Sequence, residues 1–193
     1  MRVQARRGTI PTAHKQVLVS PEDRTTLAGF DEAGGVRAPD AAIVLLATDS
    51  KQRQNVRLEG DTLRSVDVPK PSKARLSFRL PRDGFFQVDL VHPVVPADAM
   101  ASVRLNIDNR RLDLRPELTA AQRQQPRAIT ALGVANLRAG DHALELGGPF
   151  FVGFSHVVIS PLAAEHPFVQ RTTAKVSELN AAIAGKLPAI RAY

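Results

Sequence analysis

The sequence predicts an all-β chain, an antiparallel sandwich or barrel followed by one α-helix, and three observations predict it. Roughly six to nine short apolar runs, each closed by turn residues, precede residue 162. Nothing between them is long enough for the crossover that neighbouring parallel strands require. After Pro167 the apolar spacing lengthens from that of a strand to that of a helix.

In chain order, residues 1–13 read as a flexible basic arm, with Arg2, Arg6 and Arg7, Gly8 and Pro11 and no periodicity. The segment 16–19 (QVLV) is a short apolar strand closed by Ser20-Pro21. Residues 22–40, with Gly29, Gly34, Gly35 and Pro39, are expected to form a long loop. The run AAIVLLA at 41–47 is short enough for a buried strand. Residues 55–58 and 63–68 predict two further short strands, the second ended by Pro69 and Pro71.

The clearest alternation is ARLSFRL at 74–80, which puts Ala74, Leu76, Phe78 and Leu80 on one face and Arg75, Ser77 and Arg79 on the other. Pro81-Arg82-Asp83-Gly84 is a turn, because Pro presets φ and Gly accepts positive φ. The chain then re-enters as GFFQVDLVHP, with Phe86, Val88, Leu90 and His92 on one face and Phe85, Gln87, Asp89 and Val91 on the other, and a hairpin is expected. Val103, Leu105 and Ile107 share a face of the next strand, which Asp108-Asn109-Arg110 turns back through Leu112 and Leu114. A polar connector follows at 115–127. Residues 129–137, the turn 138–141 and residues 142–146 predict another hairpin, at the centre of the fold. The last strand is FFVGFSHVVIS, ending at Pro161. From Pro167, the residues Phe168, Thr172, Val176, Leu179, Ile183 and Leu187 recur at helical spacing, and Gly185 and Pro188 suit its end. The expected organisation is therefore an arm at 1–13, a β-domain at 14–162, and a helix or the start of a further domain at 163–193.

Composition excludes several classes. The chain of 193 residues has no cysteine, which removes disulfides, thiolate metal sites and Cys nucleophiles together. A chain of this length buries enough surface to need no staples. No segment is apolar over the ~18 residues of a membrane span, and no apolar run follows the first arginines as it would in a signal peptide. The formal net charge is +7, with 26 basic residues of which only six are Lys, leaving 20 Arg. Arg is the side chain of choice for phosphate and carboxylate, so an acidic polymer is a legitimate partner. The arginines are scattered rather than massed. Arg104, Arg110, Arg111 and Arg115 lie along one hairpin, but Arg110 and Arg111 point to opposite sides and no exposed aromatics are interleaved, so nucleic acid is disfavoured.

Catalytic and metal signatures are weak. His14, His92, His142, His156 and His166 fall at no metal-ligand spacing, and structural roles are expected for each. Gly153-Phe154-Ser155-His156 lacks the second Gly and the strand-to-helix turn of a nucleophile elbow. Asp83, Asp108 and Asp141 are expected to cap their turns. Asp89, in mid-strand, is expected to form a solvent-face ion pair with Arg75, Arg79 or Arg104. Most Phe residues belong to the core, but one of two adjacent Phe on a strand must point outward, which singles out Phe85 with Phe86 and Phe150 with Phe151. The 163–193 helix is a candidate cover for the outer face near Phe85. No metal, cofactor or catalytic residue is predicted.

A Gly-aromatic strand (GFFQVDLVH), a strand reaching an Asp-Asn turn (VRLNIDN), the segment LGVANLRAGDHALEL and an apolar closing strand (FSHVVISPL) follow one another over residues 74–162. In this order they resemble the carbohydrate-binding-module-like, galactose-binding-like jelly rolls appended to secreted bacterial enzymes. The resemblance implies an antiparallel β-sandwich of jelly-roll type, non-catalytic, that recognises a glycan through loops at one end or the concave face, within a larger secreted or periplasmic bacterial protein. It also implies that His142, after the Gly140-Asp141 turn, fastens loop backbone. The sequence departs from the family in having no Trp, a single Tyr at 193, and QVLVSPED where calcium-binding members carry Glu-X-Glu.

The candidate ligand contacts are Phe85, Asp89, Arg104, Phe150 and Phe151. The expected partner is a glycan or acidic polysaccharide. The competing class is a structural module in which exposed Phe and the helix mediate contact with a neighbouring domain or a homo-oligomer.

Overall fold

The computed structural model describes residues 26–67, 70–94, 103–112, 124, 126–148 and 153–190. The expected strand at 16–19, Phe150, Phe151 and most of the 115–127 connector lie outside them. The described chain runs β1 (Gly29–Phe30), β2 (Val36–Arg37), β3 (Ile43–Leu46), β4 (Gln52–Gln54), β5 (Val56–Glu59), β6 (Thr62–Ser65), β7 (Ser72–Leu80), β8 (Gly84–Pro93), β9 (Arg104–Ile107), β10 (Arg110–Leu112), β11 (Arg127–Leu137), β12 (Gly140–Gly148), β13 (His156–Pro161) and α1 (Pro167–Ile190).

Two antiparallel sheets carry the fold. One has five strands in the order β10-β9-β12-β7-β4, and the other four in the order β11-β8-β13-β3. The core lies between them, where Leu76, Phe78, Leu105, Leu144 and Leu146 of the first sheet meet Phe86, Val88, Leu90, Val157 and Ile159 of the second. The face assignments made from alternation in β7 and β8 hold: Ala74, Leu76, Phe78, Leu80, Phe86, Val88 and Leu90 all point into this core.

Two of the expected hairpins are not hairpins. β7 pairs with β12 and β4, whereas β8 pairs with β11 and β13, so the 81–83 turn carries the chain from one sheet to the other. The same is true of β11 and β12, whose connection at 138–139 also changes sheets. A turn signature fixes that the chain reverses, but two strands with one apolar face each can pair edge to edge or stack face to face. Stacking buries both apolar faces at once. The two arches lie side by side, and Asp83 Oδ1 accepts the Ala139 N–H at 2.7 Å, so Asp83 caps the neighbouring arch rather than its own turn.

The β9–β10 hairpin forms as expected. Asp108 and Asn109 adopt φ of 50° and 65°, the positive values of a type I′ turn, in which Asn and Asp are favoured. A bulge between Ala131 and Gly133 in β11 shifts its register, so Ile129 faces outward while Ala135 and Leu137 face the core.

Residues 26–42 are not simply a loop. They form the β1–β2 ribbon, and Ala28, Phe30, Val36, Ala38 and Ala42 pack over Val91, Ile129 and Val158 on the outer face of the four-stranded sheet. β8 is consequently buried on both faces from Phe86 to His92.

Candidate functional site

Among the described residues the outer face of the five-stranded sheet has no such cover. Strand alternation makes it polar, and pairing sets its rows. Gln54, Lys73, Gly147 and Arg104 lie level across β4, β7, β12 and β9. In the next row Gln52, Arg75, Glu145, Asn106 and Arg111 cross all five strands. Ser77 with Ala143, then Arg79 with Asp141, complete the face.

Charge on this face is only partly matched. Lys73 Nζ pairs with Glu145 at 2.7 Å. Arg79 and Asp141 approach to only 3.4 Å, with side chains 78% and 80% exposed, so solvent screens that pair. Arg75 and Arg104 are exposed, and among the described residues neither guanidinium has an ion-pair or hydrogen-bond partner. Between Lys73 and Arg104 the floor drops to bare backbone at Gly147. A Cβ there would sit 2.6 Å from the Ser72 carbonyl oxygen, so the backbone leaves no room for a side chain.

An open cleft of about 620 Å³ lies at one end of this face, bordered by Arg75, Ser77, Arg79, Asp141 and the edge of a Phe78–His142 stack. His142 is fastened from both sides. Its Nδ1 faces Asp108 Oδ2 at 2.6 Å and its Nε2 faces the Arg138 carbonyl at 2.8 Å, while its ring lies on Phe78 with centroids 5.2 Å apart. Burial disfavours the imidazolium, but the two acceptors, Asp108 foremost, outweigh it and raise the His142 pKa above 6.5. Asp108 also accepts the Ala143 N–H, and although burial works against its charge, this bond and His142 hold its carboxyl below the usual range. The expected backbone-fastening role of His142 is therefore observed, with Asp108 tying the β9–β10 turn to β12 rather than capping its own turn.

The predicted site residues separate. Arg104 stands on the open face. Phe85 is half-buried on the other sheet, its ring edge-on to Phe168 of α1 at 5.9 Å, which is the helical cover anticipated for it. Asp89 forms no solvent-face ion pair: it is fully buried beneath residues 26–42. Its Oδ2 accepts the N–H groups of Leu27 and Ala28, each at 3.0 Å, and Oδ1 accepts the Gln87 amide at 2.9 Å. Burial outweighs these donors and raises its pKa. Alternation placed Asp89 on an outward face correctly, but could not show that the face is covered. The residues that sequence reading did not assign to a ligand face are Lys73, Arg75, Asn106 and Gln52, while Gly147, expected to open a functional loop at 147–151, lies within β12. Alternation alone puts Arg75 outward; its neighbours follow only from the register of four other strands.

The other candidates are structural. Ser155 is 2% exposed, with its Oγ near the Val91 carbonyl and His156 Nδ1, and the chain continues into β13 rather than a helix. Buried His92 sits between Thr130 Oγ1 and the Pro93 carbonyl, and desolvation lowers its pKa. Among the described residues no three His, Asp or Glu side chains gather as a metal site.

No family model matches the sequence, and no curated protein matches it. Solved structures do. A GH26-CBM35 β-(1,4)-mannanase of Podospora anserina is similar at 10% identity with a TM-score of 0.52, over 67% of this chain and 29% of that one. A CBM35 from Paenibacillus barcinonensis is similar at 7% identity with a TM-score of 0.51, over 62% of this chain and 99% of the other. A family 35 carbohydrate binding module from Clostridium thermocellum follows at 12% identity and 0.49, over 63% and 99%. The fold is thus the β-sandwich of carbohydrate-binding modules, as the resemblance implied.

Proposed function

We propose that this chain is a non-catalytic glycan-recognition module of a secreted or periplasmic protein, and that its open sheet face takes an acidic polysaccharide. The observation that carries the reading is the pair of guanidiniums, Arg75 and Arg104, unpartnered among the described residues and flanking β12 on a face that the described chain leaves open. Two strand spacings across the sheet and two residues along it separate their backbones, roughly 12 Å. Between them on β12 lie the Gly147 floor and Glu145, whose carboxylate is held by Lys73, and the Asn106 amide stands beside Arg104 on β9. Each guanidinium can take a uronate carboxylate through two parallel N–H bonds. Among the described residues this face presents no aromatic platform, which suits recognition by charge and hydrogen bonding rather than by stacking on a sugar ring. The fold shared with carbohydrate-binding modules supports the glycan class, and the net charge of +7 supports an anionic one.

The test is calorimetry or affinity electrophoresis with polygalacturonate and alginate against neutral mannan and laminarin, at low and high salt. Binding to the acidic chains that weakens as salt rises, and falls at least about tenfold in the Arg75→Ala/Arg104→Ala double variant, is expected. Equal, salt-indifferent binding of neutral chains, or binding untouched by the double variant, rejects the reading.

A further inference from the structure

The helix α1 leaves the sandwich. Its first turn is fastened by buried Phe168 against Phe85 and by the Phe168 N–H donating to His166 Nδ1 at 3.2 Å. From 173 to 185 every residue is exposed. Yet one stripe of it is apolar, with Val176, Leu179 and Ile183 at 50%, 55% and 58% exposure. With half-buried Val169 and Thr172 these residues are spaced three, four, three and four apart. That is the seven-residue repeat in which two helices seat side chains in one another's gaps, and not the broader apolar face that packs a helix on a sheet.

We propose that α1 pairs with α1 of a second copy of this chain as a short parallel coiled coil. The a positions of the repeat are Val169, Val176 and Ile183, all β-branched, and Leu179 holds a d position, the combination that favours two parallel strands. The flanking charges select the same orientation. In a parallel pair Lys175 of one helix lies beside Asn180 of the other. An antiparallel pair centred on Val176 would bring the two Lys175 side chains together. A seam of five positions is smaller than a standard interface of about 800 Å² per partner, so the pair is a reversible one.

Parallel pairing puts both sandwiches at the same end of the seam. Resting on the function proposed above, two open faces on one particle would engage one polysaccharide chain with an avidity neither has alone. The pairing itself is tested without any glycan.

Sedimentation equilibrium on the full chain across the micromolar range should show the mass rising from one chain toward two. Val176→Asp/Leu179→Asp should remain at the mass of one chain with an unchanged β-sheet circular dichroism signal, since both positions are exposed in the single chain. The chain has no cysteine, so Ile183→Cys supplies one thiol, which on mild oxidation should yield a disulfide-linked pair. In the antiparallel alignment position 183 lies opposite 169, roughly 20 Å away along the helix and beyond the reach of a disulfide. A chain that stays single at every concentration overturns the proposal, as does a pair that survives the Asp substitutions. A pair that forms without the 183 disulfide overturns the parallel arrangement.

Discussion

The outer faces of the two sheets begin from the same pleat and end differently. Over the four-stranded sheet, Val91, Ile129 and Val158 are apolar, and residues 26–42 close over them. Over the five-stranded sheet the corresponding positions are Lys73, Arg75, Arg104 and Asn106, and nothing in the described chain covers them. Apolar outward residues are stabilised by recruiting a cover, at about 25 cal/mol per Å² of apolar surface removed from water. Hydrated cations resist one, because burying an unpaired charge costs far more. Outward side-chain chemistry therefore decides which face becomes a second core and which remains available to a ligand.

The covered face breaks at Asp89, where the largest effect is expected. Asp89→Ala leaves the Leu27 and Ala28 N–H groups buried without their acceptor and should destabilise the fold by roughly 3 kcal/mol. Asp89→Asn keeps an acceptor oxygen and should cost much less. Urea unfolding measures both, and hydrogen exchange at residues 26–42 should accelerate in the Ala variant ahead of the rest of the chain. Equal stability of the Ala variant and wild type would contradict the fastening role.

The open face breaks next at Gly147. Gly147→Ala places a Cβ against the Ser72 carbonyl at 2.6 Å, within the β7–β12 ladder, so strand must move away from strand. A loss of about 1–3 kcal/mol in urea unfolding is expected, with weaker binding of acidic polysaccharide because the floor between Lys73 and Arg104 shifts. If the substitution is silent in both measurements, the tight backbone approach is not what keeps this position bare.

What the sequence reveals divides along the same line. Features set within one strand or turn are legible: the inward faces of β7 and β8, the β9–β10 reversal at Asp108-Asn109, the start of α1 at Pro167, and an outward Arg75. Features that depend on which strands meet are not. The 81–83 and 138–139 turns read as hairpins because a turn carries no mark of the sheet its second strand will join. Asp89 reads as solvent-facing because its cover comes from Leu27 and Ala28, more than 60 residues away. The bulge between Ala131 and Gly133 reverses the alternation of β11 partway along, so the strand shows no clean period. The Gly147 floor looks in the sequence like one more turn glycine.

A smaller effect is expected at the Asp108–His142 clamp, which ties the β9–β10 turn to β12 within the five-stranded sheet. His142 has a raised pKa, so its stabilisation is full below 6.5 and is lost as pH rises through the higher folded-state value. Asp108 has a lowered pKa, so its contribution is present above 3.8 and is lost as pH falls through the lower folded-state value. The clamp is strongest between those limits. His92 and His156, both lowered chiefly by burial, shift stability in the opposite sense over the neutral range. The informative quantity is therefore the difference between wild type and His142→Gln. That difference in urea midpoint should shrink from about pH 5 to about pH 8; a difference that grows over this range would assign the raised pKa to the wrong group.

The smallest effect on stability is expected from the residues most important to the proposed function. Arg75 and Arg104 are exposed and unpartnered among the described residues, so replacing both by Ala removes no contact of the fold and should change stability by less than about 0.5 kcal/mol. The step from Asp89→Ala down to Arg75→Ala/Arg104→Ala is the comparison in its sharpest form. On the covered face a charged group is spent on holding the chain together, and its loss unfolds the protein before anything else can be measured. On the open face the charges hold nothing, and repulsion within a surface of net +7 disfavours keeping them there unless an anion arrives. A double variant that is slightly more stable than wild type and binds polygalacturonate at least tenfold more weakly would show both halves of that statement at once. A double variant that loses several kcal/mol would instead mean that these arginines belong to the fold, and that the open face is open for some other reason.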